Sequence, residues 1–207
     1  MSARATQKAK TRISTKLAGT LLVIGASQFI LAMLVGEAIC SQNACGAKNV
    51  VGYSVATNAI SDMGVGSSAY IFNSSVFLIG LFIVISGYII ARRLKARLVF
   101  AFLELTGIGA MGVGLFPETT SPHGLFAMMA FVFGGLSAVA AYRLQKPPLN
   151  FISIALGLLT LASVVLLATG HDMSLGFGGM ERMVVYPVLI WSAIFGGYLI
   201  GTQGIAG

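Results

Sequence analysis

Long apolar runs alternate with short polar segments along the chain, and the runs predict helices that cross a membrane. They cover about residues 16–38, 70–91, 97–116, 122–142, 151–169 and 183–202. About 20 helical residues span a hydrocarbon core of roughly 30 Å, a length that each run approaches or exceeds. The runs are continuously apolar, without the alternation of a barrel strand, so the backbone pairs as helix. Proline sets several boundaries. Pro117 closes the third run, Ser121 and Pro122 supply an N-cap and first turn for the fourth, and Pro147 and Pro148 break the chain before the fifth. Pro187 predicts a kink within the sixth run and a freed carbonyl near Met183. Gly107, Gly109, Gly112 and Gly114 in the third span, and Gly197 and Gly201 in the sixth, predict close helix approach. The first run is too long for the apolar part of a signal peptide and lacks a small-x-small exit, so it reads as a retained helix. The expected fold is an all-α integral membrane protein, a six-transmembrane-helix bundle in one domain. A basic tail (residues 1–15) precedes it, and a long, partly folded outer loop (39–69) follows the first span.

Composition agrees with this reading. Hydrophobic residues make up 57% of the 207 and charged ones only 9%, against about 25% charged in a soluble domain. The net charge of +7 does not point to nucleic acid, because the basic residues are dispersed among span ends. Arg4, Lys8, Lys10, Arg12, Lys16, Arg92, Arg93, Lys95, Arg97, Arg143 and Lys146 fall on one side, and only Lys48 and Arg182 on the other. Basic segments are retained in the cytoplasm, so both termini are expected there, in the plasma membrane. Glu37, Asp62, Glu118, Asp172, Glu181 and both histidines then gather at the outer ends of the helices.

That outer face carries the candidate chemistry. Cys40 and Cys45, in Cys-Ser-Gln-Asn-Ala-Cys outside the cytoplasm, are expected to form a disulfide closing a small ring. Asp62 is a candidate general base or metal ligand, with turn capping or pairing to Arg182 as its structural alternative. His123 opens the fourth span, where the helix dipole disfavours an imidazolium; a neutral ring can take a proton or bind a metal. Together Asp62, His123 and Glu181 form a candidate catalytic set, with Arg182 and Asn73 as substrate-binding residues. His123, His171, Asp172 and Glu118 are candidate ligands for a divalent metal, although no metal-site spacing connects them. Two histidines at one face are too few to carry electrons through the membrane by haem. Glu104 lies within the third span, where a carboxylate is expensive, and Gln28 in the first is its expected polar partner. A polar clamp between helices is the favoured reading of Glu104, and a proton relay or transport site the alternative.

Several short motifs, in order, resemble one known family. They are Asn58-Ala59-Ile60-Ser61-Asp62-Met63-Gly64, Phe72-Asn73, Gly114-Leu115-Phe116-Pro117 followed by His123-Gly124, and Gly178-Gly179-Met180-Glu181-Arg182 with Tyr186-Pro187. The chain is similar in these to domain-of-unknown-function family nine hundred and ninety-eight, small multi-helix membrane proteins of bacteria and archaea. The resemblance implies about six helices with a polar outer mouth, and no particular activity, substrate or cofactor.

Three functional readings follow. One is an enzyme acting by hydrolysis or group transfer on a lipid or isoprenoid head group, with Arg182 holding an anionic group. Another is a non-catalytic component, either an accessory subunit beside other membrane subunits or a small-molecule binder. The weakest is a transporter that uses Glu104. Membrane lipids are partners in all three, and convergence of His123, Asp62 and Glu181 around one cavity is the discriminating geometry.

Overall fold

The computed structural model describes residues 3–49 and 51–202, with side chains from Thr15 onward. It contains α1 (Ala3–Gln42), α2 (Ala69–Leu94), α3 (Arg97–Leu115), α4 (His123–Ala140), α5 (Leu149–Ala168) and α6 (Gly176–Gly201), with 3-10 turns at Ser61–Gly64 and Ala141–Leu144. Among the described residues six helices are long and apolar enough to cross a membrane. The chain is a multi-pass membrane protein. Its outward surface carries large apolar side chains, with Leu31, Leu125 and Val165 all more than 60% exposed. The expected basic tail is continuous with α1 from Ala3; Met1, Ser2 and the side chains of Arg4, Lys8, Lys10 and Arg12 lie outside the described part.

Each helix packs against its neighbours in sequence, and α6 returns to α1, closing a ring; α4 and α6 also touch across the interior. Neighbours joined by short connections run antiparallel. Both chain ends therefore share one end of the ring, while the loop after α1, the α3–α4 connection and the α5–α6 connection share the other, here termed the loop end.

Membrane helices gain little from burying apolar surface against one another, so close backbone contact does much of the work. Three glycine crossings supply it. A Cβ on Gly80 of α2 would stand 2.6 Å from the Gly107 carbonyl of α3, and one on Gly107 would stand 2.7 Å from the Gly80 carbonyl. Gly19 and Gly196 meet in the same way between α1 and α6, as do Gly135 and Gly157 between α4 and α5. The other α3 glycines also pack: Gly109 and Gly112 against α4, Gly114 against α2. Gly197 and Gly201 do not, because nothing lies within 4 Å of a Cβ at either position. The packing glycine of α6 is Gly196, one residue and about 100° round the helix from Gly197.

Polar side chains make the remaining interhelical links. Gln28 of α1 donates to the Ser75 carbonyl (3.0 Å) and accepts from the Ser75 hydroxyl (2.6 Å). It is therefore paired with α2, and Glu104 is not its partner. Glu104 packs instead where Gly87 of α2 leaves room, 3.0 Å from the place a Cβ there would occupy, and its buried Oε1 has no hydrogen-bond partner. Pro187 stands inside α6 as expected, and Thr160 of α5 donates to the Val184 carbonyl beside the one it frees.

α6 opens at Gly176 rather than at Met183, so Glu181 and Arg182 lie within the helix. Charge ordinarily ends an apolar span. Here Arg182 is neutralised by Glu37 of α1 at 2.7 Å, and the helix continues past both residues.

Candidate functional site at the loop end

The loop after α1 folds onto the bundle. Cys40 and Cys45 form the expected disulfide, and Cys45 makes an isolated antiparallel bridge to Gly66. Met63 and Ile60 are buried beneath the loop, and Asn73 of α2 donates to the Gly64 carbonyl at 2.9 Å. Asp62 closes the turn on itself, accepting from Asn58 Nδ2 (2.8 Å) and the Ala59 amide (3.1 Å). Its expected alternative role, turn capping, is what this geometry provides; Arg182 pairs with Glu37 instead.

Arg182 is the centre of the docking. It is 4% exposed and donates to the carbonyls of Val55 (3.0 Å), Asn58 (3.2 Å) and Gly178 (2.9 Å), to Glu37 Oε1 (2.7 Å) and to the Tyr53 hydroxyl (2.6 Å). Tyr53 passes its own proton to the Ala59 carbonyl at 2.8 Å, and burial pushes its phenol up to about 12. The first amides of α6 have no partner within the helix. Those of Gly178 and Gly179 donate to the Ala56 carbonyl. Glycine is required for this approach, since a Cβ on Gly178 would collide with the Asn58 carbonyl. The stretches Asn58–Gly64 and Gly178–Arg182, far apart in sequence, thus form one interface.

Two spaces flank the segment from Ala59 to Asp62. The outer pocket, about 400 Å³, is lined by Asp62, Glu118, Asn58 and Lys48 among others. Glu118, from the α3–α4 connection, accepts from the Ala47 amide (2.8 Å) and the Ser61 hydroxyl (3.0 Å). Burial raises the Glu118 carboxyl above its ordinary value, and the neighbouring Asp62 adds to the effect. The inner cavity, about 90 Å³, lies within the helix ring and is walled by α1, α2, α3, α4 and α6. Its wall is almost wholly apolar: Phe72, Val76, Ile79 and Ile83 from α2, Val184 and Val188 from α6. Glu181, His123 and Ser61 stand in the same lining, with Thr106 further along α3. Glu181, 7% exposed, accepts the Ile60 amide at 2.6 Å. His123 Nδ1 lies 2.8 Å from the Phe116 carbonyl. A carbonyl can only accept, so Nδ1 carries the proton and Nε2 of the neutral ring is left as an acceptor.

Of the candidate catalytic set, Glu181 and His123 therefore share one cavity, while Asp62 lines the outer pocket on the far side of Ile60 and Ser61. The candidate metal ligands are dispersed. Glu118 lies in the outer pocket and His123 in the inner cavity, while His171 and Asp172 are exposed at the α5–α6 turn. There Asp172 accepts the Ser174 amide, and His171 Nδ1 lies 3.1 Å from the Thr169 hydroxyl. No group of three or more His, Cys, Asp or Glu able to hold a metal occurs among the described residues. Asn73 and Arg182, the candidate substrate-binding pair, both bind the loop. Glu37 was legible as one of the outer-face acids but not as the partner of Arg182, and Tyr53 and the apolar lining carry no sequence signal of their own. Tyr53 could have been noticed only as the one aromatic residue in the loop 39–69.

Fold and site together define a multi-pass membrane protein whose apolar internal cavity is closed at one end by a docked, disulfide-bearing loop. The chain belongs to the family described as protein of unknown function DUF998, which matches residues 44–198 and so includes both docking stretches. No curated protein and no solved structure matches it.

Proposed function

We propose that the protein binds the apolar chain of a lipid-like molecule inside its helix ring, with the polar head beside Glu181 and His123. The carrying observation is the cavity itself, an apolar space within the bundle that ends at a carboxyl and an imidazole. Ligand pockets have this character, mostly apolar with a few convergent polar groups. The loop end is then extracytoplasmic in the plasma membrane, a reading supported by the basic residues at the other end and by the disulfide.

The test uses the purified full-length protein and a photoreactive long-chain alcohol. Label should map to cavity residues of α2 and α6, and Val188→Trp, which fills the space, should reduce labelling by about tenfold or more. Label confined to outward residues such as Leu31 and Val165, and unaffected by Val188→Trp, would refute the binding site. Orientation is checked separately: a cysteine-specific reagent outside intact cells should reach a cysteine placed near Lys48 and not one near Arg93.

One observation favours catalysis on the bound molecule as a second reading. His123 is held by Phe116 so that Nε2 is open, in the cavity that also holds Glu181. An open imidazole nitrogen beside a carboxyl suits activation of a hydroxyl for hydrolysis or group transfer at the head group. On this reading His123→Gln would abolish turnover, while the cavity label, held by the apolar wall, would fall only in part.

A further inference from the structure

The cavity wall discriminates between head groups. We infer that it selects a single-chain amphiphile with an uncharged, hydrogen-bond-donating head, of the long-chain alcohol or phenol class, over one with an anionic head. This rests on the proposed binding of a lipid-like chain and adds the chemistry of the head.

Three observations carry it. The first is that the donors nearest the polar end are already committed. The Ile60 amide is given to Glu181, the Ser61 hydroxyl to Glu118, the Thr106 hydroxyl to the Phe102 carbonyl and His123 Nδ1 to the Phe116 carbonyl. What remains open is acceptor capacity, from the Glu181 carboxylate and His123 Nε2. A head that brings its own proton suits these acceptors.

The second is the lack of a counter-charge. No lysine or arginine lines the cavity, and a buried anion without a partner is costly. Arg182, adjacent to Glu181 in sequence, is no substitute. Its five donated contacts, from Nη1 and Nη2, all go to Glu37, Tyr53 and backbone carbonyls; its Nε–H is buried without a partner, but the side chain is 4% exposed and not part of the lining. Glu181 itself repels an anion whenever it is ionised.

The third is length. From Phe72 to Ile83 the α2 wall runs about 16 Å at 1.5 Å per residue. That is about half of a hydrocarbon core of roughly 30 Å, the depth of one leaflet. In a space of about 90 Å³, a single narrow chain lying along α2 with its head at Glu181 and His123 is the matching ligand.

The experiment compares competitors of equal chain length against the photoreactive long-chain alcohol, using full-length protein in phosphatidylcholine nanodiscs. Hexadecanol should displace the label, and hexadecyl phosphate should do so at least about tenfold less effectively. Glu181→Gln keeps an acceptor for the Ile60 amide but removes the charge and adds an amide donor, so the preference should shrink several-fold. Equal competition by the alcohol and the phosphate in the wild-type protein, with label still in the cavity, would overturn the head-group inference and leave chain binding standing. An undiminished preference in Glu181→Gln would overturn Glu181 as its source. Label outside the cavity that neither competitor displaces would overturn chain binding as well. Val188→Trp separates cavity label from adventitious surface label in each arm.

Discussion

Arg182 gives the most direct test of how the loop is held. Replacing it with Met keeps much of the volume and removes the charge and five donated hydrogen bonds. Glu37, 19% exposed, loses its ion-pair partner, and the carbonyls of Val55 and Asn58 lose a donor. Removing one member of a buried ion pair costs about 3–5 kcal/mol. All the lost contacts except that to Gly178 cross from α6 to α1 or the loop, so the cost should fall on loop docking, with little on the α2–α3 packing. At about 1.4 kcal/mol per tenfold, opening of the loop should become about a hundredfold or more frequent. Hydrogen exchange read on peptides holding the Ala47, Ala59 and Ile60 amides measures this directly. Their present partners are Glu118, Asp62 and Glu181. The double variant Glu37→Met with Arg182→Met should recover part of the loss, because no orphan charge remains. Loop exchange within about threefold of wild type in Arg182→Met, or strict additivity in the double variant, would refute a docking centred on this pair.

The remaining predictions concern other parts of the fold. Replacing both Cys40 and Cys45 with Ser should cost about 2 kcal/mol of loop docking, the chain-entropy figure for so small a ring, seen as faster exchange over 44–66 with the helices unchanged. Gly80→Leu or Gly107→Leu should destabilise the bundle by at least about 1–3 kcal/mol in mixed-micelle unfolding, since each added side chain meets backbone. Gly197→Ala, where nothing lies within 4 Å, should be neutral or slightly stabilising. Glu118 holds its proton more tightly folded than unfolded, so its contribution favours the fold at low pH and fades as pH rises from 4.5 toward its raised folded value. The thermal midpoint should carry a downward slope above pH 4.5, and Glu118→Gln should make it shallower.

The fold was largely legible in the sequence because spanning a bilayer demands continuous apolar runs, and such runs need no partner to be recognised. The α3 glycines were legible too: at helical spacing Gly107 and Gly114 fall on one face and Gly109 and Gly112 on the opposite one, the faces that meet α2 and α4. Rotational phase was not legible: Gly197 and Gly196 sit next to each other, and only the position of α1 shows which of them packs. Gln28 meets Ser75 and Glu104 packs at Gly87, twelve residues or about 18 Å further along α2, a difference in depth that the apolar runs do not show. The start of α6 was obscured by Glu181 and Arg182, which mark a polar boundary unless Glu37 is known to stand opposite. The cavity is harder still. Phe72, Val76, Ile79 and Ile83 recur at helical spacing like any buried stripe, and no pattern distinguishes a stripe facing a neighbour from one facing a space.

The clustering of acids at the loop end has a physical cause apart from any reaction. A loop laid across the mouth of an apolar cavity carries backbone groups that water and a regular helix would otherwise satisfy, and leaving them bare costs several kcal/mol each. Carboxylates can accept from amides and guanidinium can donate to carbonyls, and the division of labour follows that chemistry. Asp62 takes the Ala59 amide, Glu118 that of Ala47 and Glu181 that of Ile60, while Arg182 collects the carbonyls of Val55 and Asn58. Three of these four residues stay outside the inner cavity. Glu181 differs, since one side chain both holds the Ile60 amide and lines the inner cavity. Anything bound at the cavity's polar end must therefore share an acceptor with the loop, and the loop's hold on the bundle and the cavity's hold on a ligand are linked through that carboxyl.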